Sequence, residues 1–322
     1  MIHTSKLTKT FTVKKEKIQA VKGVDIDVER GELVAFLGPN GAGKSTTLRM
    51  LTTLLAPTSG TARVAGVDVV ADPAGVRSRI GYIGQGNGGG HSYRVIDELI
   101  MQGRFYGMNT TDARARADQL LKSLELEDLK KRTVNKLSGG QRRRMDVALG
   151  LMHSPSLLFL DEPSTGMDPQ NRANLWEHIM RMRHEHGTTI VLTTHYLEEA
   201  DTMSERVIVI DHGEIIADNT AGRLKAELAG DLLAVEVSAA AAPEARGLLG
   251  RAAAAGELEE TAYDGVIRFR LRLPDGARLA PGLLKDMDDA GAPALRLELK
   301  PPTLDDVFLE LTGRSLREGG KV

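Results

Sequence analysis

Five consecutive apolar residues, Leu33-Val-Ala-Phe-Leu37, run directly into the loop Gly38-Pro39-Asn40-Gly41-Ala42-Gly43-Lys44-Ser45-Thr46. A short unbroken apolar run reads as a strand buried on both faces, the situation of a parallel sheet covered by helices. Beyond the loop, Leu48, Leu51, Leu54 and Leu55 recur at helical spacing. Strand, glycine-rich loop and helix in this order leave few folds open. The glycines let successive backbone N–H groups turn inward as an anion nest, and a helix starting near Gly43 adds the positive end of its dipole. The stretch Gly38–Ser45 matches G-x-x-x-x-G-K-[ST] without deviation. In that pattern Lys44 reaches the β- and γ-phosphates of ATP and Ser45 ligates Mg²⁺. The loop through Thr46 is the candidate nucleotide cradle.

Leu157–Leu160 and Thr189–Thr194 read as further buried strands, with helical segments between, such as Asn171–Arg183 with Leu175, Ile179 and Met182 on one face. This alternation predicts an α/β core with a parallel sheet. Arg206–Ile210 and Glu214–Ala217 flank Asp211-His212-Gly213, which reads as a hairpin. Residues 86 to about 150 differ, because the helical stretches Val95–Tyr106 and Asp112–Leu124 dominate. They read as a helical insert, opened by the hinge-like run Gly86-Asn-Gly-Gly-Gly90. After about Gly230 the composition shifts to Ala, Leu and Gly, with alternating runs at Leu233–Val237, Ile267–Leu273 and Leu295–Leu299. In the second run Ile267, Phe269, Leu271 and Leu273 face one way and Arg268, Arg270 and Arg272 the other. The pattern predicts a small α+β domain with helices on one sheet face, of which the ferredoxin-like arrangement is one form. The expected division is 1–225 and 226–322.

Two carboxylates, Asp161 and Glu162, end the run Leu157–Leu160. Ligands bind beyond the carboxyl ends of parallel strands. Asp161 is therefore expected to hold Mg²⁺, and Glu162 to accept a proton from an attacking water. Leu137-Ser138-Gly139-Gly140-Gln141 precedes a helix carrying Met145, Ala148, Leu149 and Met152 on one face. Its N–H groups make a second anion site. One chain has no need of a second phosphate site for one ATP. A two-fold dimer does, because each chain's second site can close the other's first.

Arg142, Arg143 and Arg144 follow, and cations are unfavourable in a first helical turn. Either a phosphate or carboxylate lies nearby, or the run is solvated. Gln85, after Ile80–Ile83, is placed to touch both Mg²⁺ and the attacking water, or is an ordinary loop glutamine. His195, after Thr189–Thr194, is a candidate donor to the γ-phosphate or a structural histidine. Asp168 either bridges two chains or caps the helix after Pro169. Phe11 is either an adenine-stacking aromatic or strand core.

At 322 residues the chain has room for two domains, and 41% hydrophobic with 27% charged residues is ordinary for a globular protein. A net charge of -2 gives no reason to expect nucleic acid as a partner. The absence of cysteine excludes disulfides, thiol catalysis and thiolate metal sites. No apolar h-region opens the chain, and no window reaches the roughly 18–20 apolar residues of a membrane span. A cytoplasmic protein is expected, with any membrane spans supplied by another chain.

Together these motifs resemble the ATP-binding subunit of an ATP-binding-cassette (ABC) transporter. Gly38–Ser45 is similar to the Walker A loop, Gln85 to the Q-loop and Leu137–Gln141 to the signature. Leu157–Asp161 with Glu162 is similar to Walker B, Ser164–Asp168 to the D-loop and His195 to the H-loop. The Arg142–Arg144 run and the tail Pro302-Thr-Leu-Asp-Asp-Val-Phe-Leu-Glu-Leu-Thr-Gly313 resemble the daunorubicin/doxorubicin-resistance exporters. The resemblance implies a P-loop NTPase fold with a helical subdomain, ATP and Mg²⁺ as cofactors, and a homodimer of ATPase subunits. It also implies an integral membrane permease as partner, a place on the cytoplasmic face of the membrane, and an accessory C-terminal domain. Two features depart from it, namely the long stretch around Val13–Ile18 and the glycine run after Gln85. Non-transport cassettes acting on DNA or the ribosome carry either two cassettes or a long coiled coil, and the sequence has neither. P-loop kinases and GTPases leave the second phosphate site unexplained. In the tail, Thr303 reads as an N-cap, and Leu304, Val307, Phe308 and Leu311 form an apolar stripe that needs a docking surface on its own domain or a partner.

Overall fold

A computed structural model describes residues 1–86, 88–90, 92–253 and 258–313, with His186 described by its backbone alone. Contacts divide the chain into two compact units, Met1–Asp218 and Asn219–Val322.

In the first unit, β1 (Ile2–Val13) and β2 (Glu16–Val24) form an antiparallel hairpin, and β3 (Asp27–Val28) pairs with β1. Then follow β4 (Leu33–Leu37), α1 (Lys44–Leu51), β5 (Ser59–Val64), β6 (Val67–Asp68), α2 (Pro73–Arg77) and β7 (Ile80–Ile83). The helical insert is α3 (Val95–Phe105), α4 (Thr110–Ser123) and α5 (Gly139–Leu151). The chain returns through β8 (Leu157–Asp161), α6 (Pro169–His186), β9 (Thr189–Thr194), α7 (Leu197–Met203), β10 (Arg206–Asp211) and β11 (Glu214–Asn219).

One sheet has the order β2-β1-β5-β6, and the other β11-β10-β4-β9-β8-β7. In the second sheet all pairings from β10 through β4, β9 and β8 to β7 are parallel. Every residue of β4, β8 and β9 is buried, as unbroken apolar runs require in a sheet covered on both faces. Leu37 pairs with Thr194, Asp161 with Thr193, and Ile83 with Leu160. Four strands therefore end level, and the loops that leave them meet.

Several local expectations change. Helix α1 stops at Leu51, because Thr53 takes a left-handed φ of 62°. Leu54 is consequently exposed, while Leu55 folds back onto the core. The glycine that interrupts β7 has a steric cause: a Cβ at Gly81 would lie 2.4 Å from the Gly150 carbonyl of α5. Parts of the glycine run are also closely approached, although a Cβ at Gly86 would meet nothing within 4 Å. A Cβ at Gly88 would approach Asp146 Oδ1 to 3.0 Å, and one at Gly90 would approach Glu98 Oε1 to 2.6 Å. The predicted hairpin turn stands at His212 and Gly213, both with positive φ (47° and 83°), the twist-matched geometry of two-residue loops. Lys14 and Lys15 repeat that geometry, so the long Val13–Ile18 segment is the tip of the β1–β2 hairpin.

The second unit opens with α8 (Ala221–Leu224) and a wider turn over Lys225–Ala229. It continues through β12 (Asp231–Ser238), α9 (Ala242–Ala252), β13 (Glu259–Tyr263), β14 (Val266–Leu273), α10 (Gly276–Asp289), β15 (Arg296–Lys300) and α11 (Leu304–Thr312). The order β13-β14-β12-β15 with antiparallel pairing throughout is the ferredoxin-like βαββαβ arrangement. Leu233, Val235, Val237, Phe269, Leu271 and Leu273 face α9 and α10 through Ala245, Leu249 and Met287. Thr303 and Asp306 form a reciprocal cap on α11. Leu304, Val307 and Phe308 are each 1% exposed, and α11 packs on α8 and the turn after it, so the stripe docks on its own unit.

Candidate nucleotide-binding site

The loop after β4 turns on Gly41 and Gly43, with φ of 82° and 105° that L side chains rarely adopt. Its N–H groups lead into α1, whose first residue is Lys44. Lys44 is 3% exposed, and its ammonium donates to the carbonyls of Gly38 (2.6 Å) and Pro39 (2.9 Å). Burial pulls the ammonium below its ordinary pKa, and the charges of Glu162 and Asp161 pull it back.

Ser45 Oγ donates to Asp161 Oδ1 at 2.7 Å, and Thr193 Oγ1 donates to the same oxygen at 2.7 Å. Asp161 Oδ2 is buried without a hydrogen-bond partner. A fully buried carboxylate with one free oxygen beside a serine hydroxyl is the donor set of a hard cation such as Mg²⁺. Gln85 Nε2 approaches Ser45 Oγ to 3.4 Å, which brings the Q-loop residue to the same point.

Glu162 leaves β8 with a φ of 48°, a left-handed backbone rarely taken by a side-chain-bearing residue. Its N–H meets the carbonyl (3.1 Å) and the hydroxyl (3.0 Å) of Thr193, and Thr165 Oγ1 donates to Oε2 at 3.2 Å. His195 Nδ1 lies 3.5 Å from Oε2, and its ring leans on Tyr196. The neighbouring imidazole, followed by the Lys44 charge, holds the Glu162 carboxyl below the usual range against desolvation. Glu162 is thus ionised at neutral pH.

The signature forms the start of α5, as expected. Ser138 and Gln141 cap it reciprocally, with Ser138 Oγ accepting from Gln141 N (3.3 Å) and Gln141 Oε1 from Ser138 N (3.0 Å). A Cβ at Gly140 would lie 2.6 Å from Asn171 Oδ1, so that side chain would have to shift, whereas one at Gly139 would meet nothing within 4 Å. Ser138, Gly139 and Gly140 line a cleft with Gln85, Glu162 and Asp168. Asp168 caps α6, its Oδ1 accepting from Asn171 N at 3.0 Å.

Two open readings narrow. The arginine run follows the carboxylate alternative rather than the solvated one, with Arg143 Nη1 3.9 Å from Asp146 Oδ2 and Arg144 Nη1 3.7 Å from Glu125 Oε2. Arg143 is 8% exposed and grips the carbonyls of Pro163 and Gly84, and Arg144 reaches the Leu124 carbonyl and His178. Phe11 is not core: it is 37% exposed on the β1–β2 hairpin, with Lys9 Nζ 5.3 Å from the ring centre.

Sequence reasoning passed over Thr193, which holds both Asp161 and the Glu162 backbone. It also missed Glu199, a buried carboxylate that accepts from Ser164, Trp176 Nε1 (3.1 Å) and Thr194 Oγ1 (2.8 Å). The available signal was a pair of threonines closing a wholly buried strand, since a polar side chain there needs a partner.

A glycine loop with a buried lysine, level with two strand-end carboxylates, defines a P-loop NTPase. The ABC transporter family model matches residues 21–165. The chain is 42% identical to the daunorubicin resistance ATP-binding protein DrrA3 of Streptomyces coeruleorubidus, covering 93% of both chains. It is 32% identical to the linearmycin resistance ATP-binding protein LnrL of Bacillus subtilis, covering 92% of this chain and 95% of the relative. A dimeric ATP-binding cassette in a post-hydrolysis state, bound to ADP and Pi, superposes with a TM-score of 0.63 at 28% identity, over 68% of this chain and 98% of that one. The chain belongs to the ABC transporter ATP-binding proteins, in the group of the daunorubicin/doxorubicin-resistance subunits, and is an ATPase.

Proposed function

We propose that this chain is the ATP-hydrolysing subunit of an exporter that moves a drug-like or antibiotic compound through a separate membrane permease. The observation that carries the reading is the meeting of Lys44, Ser45, Gln85, Asp161, Glu162 and His195 at one set of strand ends, together with a signature helix start that this chain leaves uncovered at Gly139. The phosphate loop and Lys44 hold the triphosphate. Ser45, Asp161 and Gln85 would hold Mg²⁺, which supplies charge neutralisation at the β- and γ-phosphates. Glu162 accepts the proton of the attacking water, and His195 orients Glu162 and donates toward the γ-phosphate. The signature of a second copy completes the site, with Asp168 near the seam. Closure is then a population shift, because ATP contacts both copies only when they meet. Phe11 is offered as the adenine platform.

No helix among the described residues is long and apolar enough to cross a membrane, so the reading requires a permease to supply the path. A cavity of about 500 Å³ lined by Leu54, Tyr82, Gly86, Gly88, Gln102 and Tyr106 adjoins the Q-loop and is the proposed seat of that permease, at the cytoplasmic face of the membrane. The ferredoxin-like unit serves as an accessory domain. The test uses inverted vesicles carrying the chain with its permease and a fluorescent anthracycline. ATP should drive dye uptake, and Glu162→Gln should bind ATP, dimerise and transport nothing. Equal uptake with Glu162→Gln, or a monomer at saturating ATP, would overturn the reading.

A further inference from the structure

Arg143 occupies an unusual position. It lies one turn into the helix that starts at Ser138, and its side chain leaves that helix to join two other segments. Nε donates to the Pro163 carbonyl at 2.6 Å, and Nη1 donates to the Gly84 carbonyl at 2.7 Å. Gly84 immediately precedes Gln85, and Pro163 immediately follows Glu162. A planar guanidinium can hold two carbonyls in fixed directions at once, whereas an ammonium on a flexible stem is a point charge that imposes no such geometry. The residue is 8% exposed, and Nη2 is buried without a hydrogen-bond partner.

Its neighbour extends the grip. Asp146, one turn further along α5, is 5% exposed and accepts from Gly88 N at 2.9 Å through Oδ1. Its Oδ2 lies 3.9 Å from Arg143 Nη1 and has no hydrogen-bond partner. Burying an imperfectly matched charge pair costs stability, and apolar residues of similar size would serve packing better. Fold stability alone therefore does not account for the pair.

What the pair holds is informative. Glu162 sits at a positive φ, and such backbone strain persists only where the surroundings over-determine it. Thr193 fixes the residue from the N-terminal side through the Glu162 N–H. Arg143 fixes it from the C-terminal side through Pro163.

We propose that Arg143 is a positioning residue for ATP hydrolysis, locking the backbone before Gln85 to the backbone after Glu162, while Asp146 sets the glycine run in register with the same helix. A displacement of the glycine run thereby reaches Glu162 through one side chain, and the signature helix carries the link. The inference rests on the assignment of Glu162 as the base.

The experiment measures steady-state ATP hydrolysis and fluorescent-nucleotide affinity of the full chain carrying Arg143→Lys, Glu162→Gln or both. Arg143→Lys should keep nucleotide affinity within about 3-fold and lower kcat by roughly 10–100-fold, the scale of losing alignment at a reacting group. In the Glu162→Gln background it should change kcat by less than about 3-fold, since the group it aligns has already lost its basicity. Arg143→Gln removes the buried charge and should give the same kcat loss, so it carries the test if the lysine variant fails to bind nucleotide. Wild-type kcat in both arginine variants, or losses that simply multiply with that of Glu162→Gln, would overturn the positioning role and leave the base assignment intact. Wild-type kcat in Glu162→Gln itself would sink the base assignment and the proposal together.

Discussion

The two units of this chain treat charge in opposite ways. The first buries it, since Lys44, Asp161, Arg143, Asp146 and Glu199 are all at most 8% exposed. Among the described residues, every buried side-chain polar atom without a hydrogen-bond partner lies between Arg116 and His195. The second keeps its charges outside and in pairs, such as Arg246 with Glu260, Arg268 with Glu236 and Arg272 with Asp306. Among its described residues no polar or charged side chain is buried. Buried charge that is not fully matched works against folding. The first unit accepts that cost around the proposed nucleotide site. The second unit has no unpartnered buried polar side-chain atom among its described residues.

The comparison breaks most directly at Glu162. Glu162→Gln should lower hydrolysis by roughly 10²–10⁴-fold, the range for losing a general base, while the melting temperature stays near wild type. A steady-state ATPase assay paired with calorimetry reads both, and a large thermal change would mean that this carboxylate is structural.

Phe308→Asp is the mirror-image experiment. The side chain is 1% exposed against its own unit, so a charge there should cost at least about 3–5 kcal/mol. The affinity of the folded protein for ATP should not move. Denaturant unfolding followed by separate probes in the two units would show the loss confined to the second.

Asp146 sharpens the point about buried charge. Burial, opposed by Arg143, raises its carboxyl to about 6. The folded state then holds a proton that the unfolded chain releases near its ordinary value of 3.8. The fold therefore loses stability as pH rises from that value to about 6, and above 6 the penalty is complete. Asp146→Asn should melt close to wild type at pH 3 and gain up to about 2–3 kcal/mol at pH 8. Thermal melts across that range check the sign, and a gain that is equal at both pH values would contradict it.

The smallest effect is expected at the exposed pair Arg246–Glu260. Removing it through Arg246→Ala should leave melting and ATPase activity indistinguishable from wild type, because solvated ion pairs contribute little. A clear drop in activity would show that the second unit is tied to the chemistry after all.

These contrasts trace back to what each stretch of chain could announce by itself. The loop Gly38–Ser45, the strand-end pair Asp161–Glu162, the Ser138–Gln141 cap and the turn at His212–Gly213 are all local. Their backbone geometry is set by residues within a few positions of one another, so spacing was enough to read them. The alternation of Ile267–Leu273 likewise revealed a one-sided sheet, because side chains in a strand must alternate. Arg143, Thr193 and Glu199 are common residue types whose partners lie far along the chain. Only the level ends of β4, β7, β8 and β9 bring those partners within reach. The sequence therefore determined the motifs of the first unit, the class of its parallel sheet and the class of the second unit's sheet, but not the antiparallel sheet of β1, β2, β3, β5 and β6. The tertiary structure decided that Arg143 turns inward to two carbonyls, that Phe11 stands on an exposed hairpin, and that the α11 stripe is spent on its own unit. A guanidinium, a phenyl ring and an apolar stripe each have several acceptable environments, and which one is realised depends on what packing places beside them.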